Sequence, residues 1–190
     1  MVKSAYKLLS SLQRDTRSCE PSTAQEQKKM LSGLWKLQIL NKVKIFAWRA
    51  CQNGLPIKSN LKKRQVALED NCVFCGTEEE DIIHAIYQCR TIRQCWIDLG
   101  LGLQLEARYI DFVEFVTIAQ KNGSKEEVEK FLVIAWGFWY RSNKKMFDDS
   151  EVHPIAAVHQ TLALWSDLKQ LKGIGKKSNG RWIAPLVGSL

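Results

Sequence analysis

Long apolar runs are missing from this sequence. The longest, Phe131 to Tyr140, falls far short of the about 20 residues a bilayer span requires. The opening Met1-Val-Lys-Ser-Ala-Tyr-Lys-Leu-Leu9 has no apolar stretch of signal-peptide length. These absences predict an intracellular protein, cytoplasmic or nuclear, not secreted and with no membrane partner. Proline and glycine are also scarce, at 4 and 11 of 190 residues. Their scarcity excludes collagen-like and Pro/Gly-rich chains and leans towards helix. No nucleophile–base pair or carboxylate constellation stands out, so a hydrolytic enzyme is the least expected class.

What is present fits a globular chain. Hydrophobic residues make up 45% and charged residues 25%, which excludes wholesale disorder. At 21.8 kDa there is room for one ordinary domain or two small helical ones. The formal net charge of +8 suggests a polyanionic partner without naming it. That charge is unevenly spread. From Lys28 to Arg64 there are ten Lys or Arg and no Asp or Glu, whereas Gln65 to Cys89 holds six acids and no Lys or Arg.

The apolar periodicity predicts an all-α fold; with the ligand spacing Cys72, Cys75, His84 and Cys89 it gives a small zinc-stabilised helical domain followed by a helical hairpin. A short helix is expected over residues 2–13 and a polar linker over 14–30. Asn41 reads as the N-cap of a helix reaching about Gln52, stopped by Asn53-Gly54 and Pro56. Short helices follow at Asn60–Arg64, Glu79–Tyr87 and Thr91–Leu99, then a stripe from Ile110 to Ala119. Ser124 and Glu127 form a capping box opening a long helix towards Lys145. Pro154 begins the last helix, with the stripe Ile155, Val158, Leu162, Trp165, Leu168 and Leu171. Residues 173–180 read as a basic, Gly-rich tail. The division implied is 1–33, N-terminal helix and linker; 34–99, zinc-binding domain; 100–172, helical region; and 173–190, tail.

The sharpest local signal is Cys72-Val-Phe-Cys75-Gly76, then His84, then Cys89. Zinc takes four nitrogen or sulfur ligands in a tetrahedron, and a C-x2-C turn presents two thiolates to one ion. Six cysteines in a reducing compartment favour metal over disulfides. One structural zinc, Zn2+, held by Cys72, Cys75, His84 and Cys89 is therefore expected, with Cys95 as the rival fourth ligand. A Cys72–Cys75 redox pair and an ordinary half-buried His84 are the alternatives. Cys19 and Cys51 read as a loop thiol and a buried core thiol. Four ligands close the site, which argues against catalytic zinc.

These residues carry a resemblance. The run Leu34-Trp35-Lys36-Leu37, Asn41 to Ala50, Asn53-Gly54-Leu55-Pro56, Asn60-Leu61, Cys72 to Gly76, Glu79, His84, Cys89 and Trp96 resembles the reverse-transcriptase zinc-binding domain of plant LINE-type (non-LTR) retrotransposons. The likeness covers about Val2 to Trp96. More weakly, Ala135 to Phe147 resembles the Trp-rich helix that follows in those polyproteins. Arg181-Trp182-Ile-Ala-Pro185 resembles the lead-in to an RNase H-like domain. The resemblance implies an excised retroelement fragment, with a reverse transcriptase or RNase H partner domain missing from this chain. Asn41 and Arg90 depart from the prolines usual there.

Lys42, Lys44, Arg49, Lys58, Lys62, Lys63 and Arg64 read as a phosphate-contacting face for nucleic acid, RNA or DNA. Trp35, Trp48 and Trp96 offer base stacking, but their helical spacing beside Leu and Phe reads as core. Trp136, Trp139 and Trp165 read as packing between the last two helices. The function expected is a non-catalytic zinc-binding module that binds nucleic acid. The alternatives are a protein–protein interaction module or an inert retroelement relic in which zinc is purely structural.

Overall fold

The structure, a computed structural model, describes residues 21–100 and 111–177. Its regular elements are helical: α1 (Pro21–Trp35), α2 (Asn41–Cys51), α3 (Lys58–Lys63), a π turn (His84–Gln88), α4 (Arg90–Asp98), α5 (Phe112–Asn122), α6 (Lys125–Asp148) and α7 (Pro154–Lys177). Among the described residues, extended pairing is confined to one antiparallel bridge between Asn71 and Glu79. The all-α expectation therefore holds. No helix among the described residues is long and apolar enough to cross a membrane.

Most differences from the expected boundaries have local causes. The helix expected at 2–13, and Cys19, lie outside the described residues. Part of the expected linker is instead α1, because its Gln, Glu and Lys residues are good helix formers. Pro21 suits a first helical turn, and Met30 and Leu34 supply a narrow buried stripe. Asn41 is the first residue of α2 rather than its cap; the extended Leu40 precedes it. The predicted stripe Val43, Phe46, Ala47 and Ala50 is buried. Asn53, at φ 49°, takes the left-handed position after α2. At the other end, α7 runs through Gly173 and Gly175 to Lys177, since glycine weakens a helix by only about 1 kcal/mol relative to alanine. Leu171 is exposed, not buried, because α7 outruns the core.

The centre of the molecule is α6. The capping box forms as predicted: Ser124 Oγ accepts from Glu127 N, and the Glu127 carboxylate accepts from Ser124 N. Every residue from Phe131 to Phe138 is then buried, so the helix is covered all round. Helices α2, α5, α7 and the π turn all pack on it. Aromatic rings tie the cysteine-bearing region to this helix. Trp96 stacks on Phe131 at 5.1 Å and meets Phe138 edge-on at 5.4 Å, while its indole N–H donates to Ile86 O at 2.9 Å. Phe115 approaches Phe131 at 4.3 Å, and Phe46 approaches Trp139 at 5.4 Å. Buried residues from Met30 to Trp165 form one continuous cluster. The apolar stripes of α6 and α7 meet each other within it.

Gly137 of α6 lies directly against Thr161 of α7. A Cβ there would sit 2.9 Å from Thr161 Cγ2 and 3.0 Å from Thr161 Oγ1. Alanine ordinarily stabilises a helix interior by about 1 kcal/mol over glycine. Here the steric term reverses that sign, and Gly137→Ala is expected to destabilise by about 1–3 kcal/mol in urea unfolding. Adding Thr161→Ala removes both clashing atoms and should restore part of the loss. A Gly137→Ala protein more stable than the parent would show that the interface has slack.

Candidate metal centre

The knuckle is built by a turn that reverses within five residues. Gly76 N donates to Cys72 O at 2.9 Å, and Gly76 adopts φ +69° with open space where a Cβ would lie. Cys72 N donates to Glu78 O at 2.8 Å, alongside the Asn71–Glu79 bridge. The expected helix at Glu79–Tyr87 thus begins later, because Glu79 is held in that bridge. Asp81 takes the capping role instead, its carboxylate accepting from His84 N at 2.6 Å.

His84 and Cys89 bracket the π turn, closed by the bond from Cys89 N to His84 O at 3.0 Å. Residues five apart diverge around an α-helix but fall on one side of a π turn, which is how H-x4-C aims both donors inward. The four donor atoms of Cys72, Cys75, His84 and Cys89 all lie within 4.8 Å of one another, and all four residues are buried. Cys72 Sγ is 3.8 Å from Cys89 Sγ, and Cys75 Sγ is 3.4 Å from His84 Nε2. A zinc tetrahedron with Zn–S of about 2.3 Å has S···S edges of about 3.8 Å. The donors fit one structural zinc. Among the described residues the cysteines are free thiols, so Cys72 and Cys75 are not a disulfide. Cys95 is buried outside the cluster and its thiol is pushed up, chiefly by burial. Cys51 is a core thiol, pushed up to about 12 by burial.

Proton affinities within the cluster are lopsided. The hydrogen bond from Cys72 holds Cys89 down at about 3 against burial, with further bonds from His84 and Thr91. The same bond, then burial, pushes Cys72 up. Burial disfavours the charged form of His84, but its bonds to Cys89 and Cys75 outweigh that and lift it to about 9. Burial likewise opposes the Cys75 thiolate, and is outweighed by donors from Thr77 and Glu78. Cys89 is the donor that gives up its proton most readily, and the protons still on the cluster leave when metal binds.

Several supporting residues have no motif of their own. Glu78 Oε2 lies 3.2 Å from His84 Nδ1, which fixes the ring so that Nε2 faces the sulfurs. Thr91 Oγ1 is 3.2 Å from Cys89 Sγ, and Arg90 donates to Cys75 O at 2.9 Å. Arg90, a departure from the expected proline, is thus a brace for the turn. Glu80 is fully buried, and burial raises its carboxyl. It accepts from Val73 N at 3.4 Å, Lys58 N at 3.5 Å and Ser142 Oγ at 3.3 Å, linking the knuckle, α3 and α6.

Arg141 of α6 is the countercharge. Three thiolates, a neutral imidazole and Zn2+ sum to about −1. Arg141 is only 4% exposed; burial lowers its proton affinity, and negative charge at Cys89, Glu151, Cys72 and Cys95 opposes that shift. Its guanidinium lies 3.4 Å from the centre of the Phe74 ring, inside the C-x2-C turn, and its Nε donates to Val152 O at 2.6 Å. A Trp-rich motif contained this residue in the sequence, but nothing in its spacing assigned it to the metal.

The seven predicted phosphate-contacting residues do not share one environment. Lys42 and Arg49 are exposed on α2, where Lys42 Nζ lies 4.4 Å over the Trp136 ring and Lys44 Nζ donates to Trp35 O at 2.9 Å. On α3, Lys62 pairs with Asp70 at 2.8 Å, and Lys63 lines a cavity with Asp81 and Asp111. Lys58 is half-buried and Arg64 exposed. The tryptophan reading needs correction: Trp96 is core, but Trp35 and Trp48 are 48% and 42% exposed. They lie off the buried stripes of α1 and α2, which Met30, Leu34, Val43 and Phe46 fill. Trp136 and Trp165 are buried and Trp139 half-buried, but they pack at least partly outside the seam between the last two helices: Trp139 meets Phe46, Trp136 lies under Lys42, and Trp165 Nε1 donates to Gln38 O at 3.2 Å; His153 and His159 are exposed.

Elemental analysis should find one zinc per chain, with uptake releasing protons and affinity rising with pH. Cys95→Ser should leave that content unchanged, and Cys89→Ser should lose it; equal loss in both would put Cys95 in the site. Arg141→Met should lower stability by about 3–5 kcal/mol in the zinc-loaded protein, because it strands a buried negative charge. The penalty should shrink after zinc is chelated, and an unchanged penalty would mean that Arg141 acts by packing alone.

No curated protein and no solved structure gives a significant match to this chain. The family described as zinc-binding in reverse transcriptase matches residues 1–96, which contain all four donors and the turn that gathers them. Matching over just more than half of its length, the chain belongs to that zinc-binding family of reverse transcriptases.

Proposed function

We propose that this protein is a non-catalytic module of a LINE-type retroelement reverse transcriptase whose zinc is structural and whose basic surface binds nucleic acid. The observation that carries this reading is the acid-free segment Lys28–Arg64, which folds into three helices with many of its cations exposed. Phosphates need cations that are held in place yet reachable by solvent. The cluster supports both requirements, because Glu80 ties α3 to the turn while α2 packs on α6. The donor set itself supports the non-catalytic part, since four protein ligands leave zinc no position for water or substrate.

Within the predicted face, α2 is the stronger half. Lys42 and Arg49 have no acid neighbour in their own helix. On α3, Lys62 and Lys63 face Asp70, Asp81 and Asp111. Contact with about five phosphates of a single strand predicts a log–log salt slope of roughly −3 to −4. Changing Lys42 and Arg49 together to Ala should flatten it by about 1.4, at about 0.7 per lost contact. Changing Lys62, Lys63 and Arg64 together should cost less than three contacts' worth, because Lys62 already has a partner. A gel-shift titration of zinc-loaded protein at two salt concentrations measures both. Absence of salt-dependent binding to any DNA or RNA at low ionic strength would overturn the reading in favour of protein docking.

A further inference from the structure

The outer face of α2 carries more than charge. Ile45, at 45% exposure, and Trp48 stand there between Lys44 on one flank and Lys42 and Arg49 on the other. Beside Lys44 lies Trp35, whose backbone carbonyl that lysine holds. Lys36 follows Trp35 directly and opens onto a groove of about 600 Å³ between α1 and α5, lined by Lys28, Lys29, Ser32 and Gln120. Among the described residues, no acid lines this groove. The acid nearest in sequence, Glu26, faces Lys121 at 3.8 Å. The surface therefore alternates cations, exposed indole, cation and exposed indole, over two helices that pack in one core and are further joined by the bond from Lys44 to Trp35 O.

Two half-exposed indoles set among lysines suit one class of occupant, one that offers flat rings and negative charge together. Duplex DNA and RNA present phosphates outside and hide the faces of their bases. A single strand offers both phosphates and free base faces, and stacking on an aromatic ring adds about 1–3 kcal/mol per base. An acidic peptide would satisfy the lysines but would leave both indoles without a flat partner. We infer that this surface is a single-strand track: Trp35 and Trp48 each stack a base, while Lys28, Lys29 and Lys36 on one side and Lys42 and Arg49 on the other hold the phosphates. This rests on the nucleic-acid reading above and deepens it, since it names the strandedness of the ligand and adds five residues, Lys28, Lys29, Trp35, Lys36 and Trp48, to the surface.

Stacking and charge respond differently to salt, which makes the two ideas separable. The probe is a short oligopyrimidine, titrated as a single strand and as the same sequence in a duplex, against the full zinc-loaded chain. Binding of the single strand should quench tryptophan fluorescence and should be tighter than that of the duplex. Trp48→Ala should weaken single-strand binding roughly 5- to 100-fold and leave the salt slope unchanged, because no phosphate contact is lost. Trp48→Phe, which keeps a ring, should recover part of the loss. Circular dichroism and zinc content should match the parent for both, as Trp48 lies outside the core. Lys28→Ala with Lys36→Ala should do the reverse and flatten the slope. If Trp48→Ala and Trp35→Ala bind the single strand as the parent does, while the lysine variants still flatten the slope, the stacking track is wrong and the charge-based reading stands. Duplex binding tighter than single-strand binding would likewise overturn it. If the parent binds no nucleic acid at all, both readings fall together.

Discussion

A buried metal centre with an excess negative charge has to be matched by a cation within the protein, or the several kcal/mol cost of taking that charge out of water goes unopposed. In this chain the match comes from far along the sequence. Arg141 reaches the knuckle from α6, lies on the Phe74 ring within the C-x2-C turn, and is held there by Val152 O. The next residue, Ser142, donates to Glu80, which in turn accepts from the backbone of the knuckle and of α3. Two consecutive residues of α6 thereby fix that helix against the metal site in both rotation and translation. Phe131 and Phe138 then meet Trp96, and the rest of α6 follows into the core.

The same constraint explains the reversal of charge along the sequence. The acids between Glu69 and Asp81 divide their labour. Glu78 orients the His84 ring, Glu80 bridges three segments, Asp81 caps the helical turn and Asp70 pairs with Lys62. Their nearness to α3 quiets its lysines. The basic surface left open lies on α1 and α2, the helices whose inner faces carry Met30, Leu34, Val43 and Phe46 into the core. Each helix is thus amphipathic in a particular way, apolar inside and both cationic and aromatic outside.

Much of this was legible in the sequence. Periodicity of 3.6 located α2, α5, α6 and α7, and the capping box fixed the start of α6, since these signals are local. The ligand spacing located the metal centre for the same reason. What the sequence could not carry was long-range. Trp35 and Trp48 looked like core because apolar neighbours surround them, yet their exposure is decided by which side of α1 meets α2 and α5 and which side of α2 meets α6. The π turn hid behind an ordinary helical pattern, although the five-residue step from His84 to Cys89 is its signature. Arg141 had no local mark at all, because its role is defined by a charge some fifty residues upstream. The segment read as linker failed for a different reason: a helix that buries only a thin stripe looks as polar as a loop.

The aromatic contacts between Trp96 and α6 bear on what can move as a unit. The family match stops at residue 96, in the middle of α4 and at the very ring that stacks on Phe131. A cut made there by recombination would divide a continuous core and separate the metal centre from its compensating cation. The folding unit is therefore larger than the matched segment: knuckle and long helix share one core, with Arg141 on the Phe74 ring and Ser142 on the Glu80 carboxylate across that boundary.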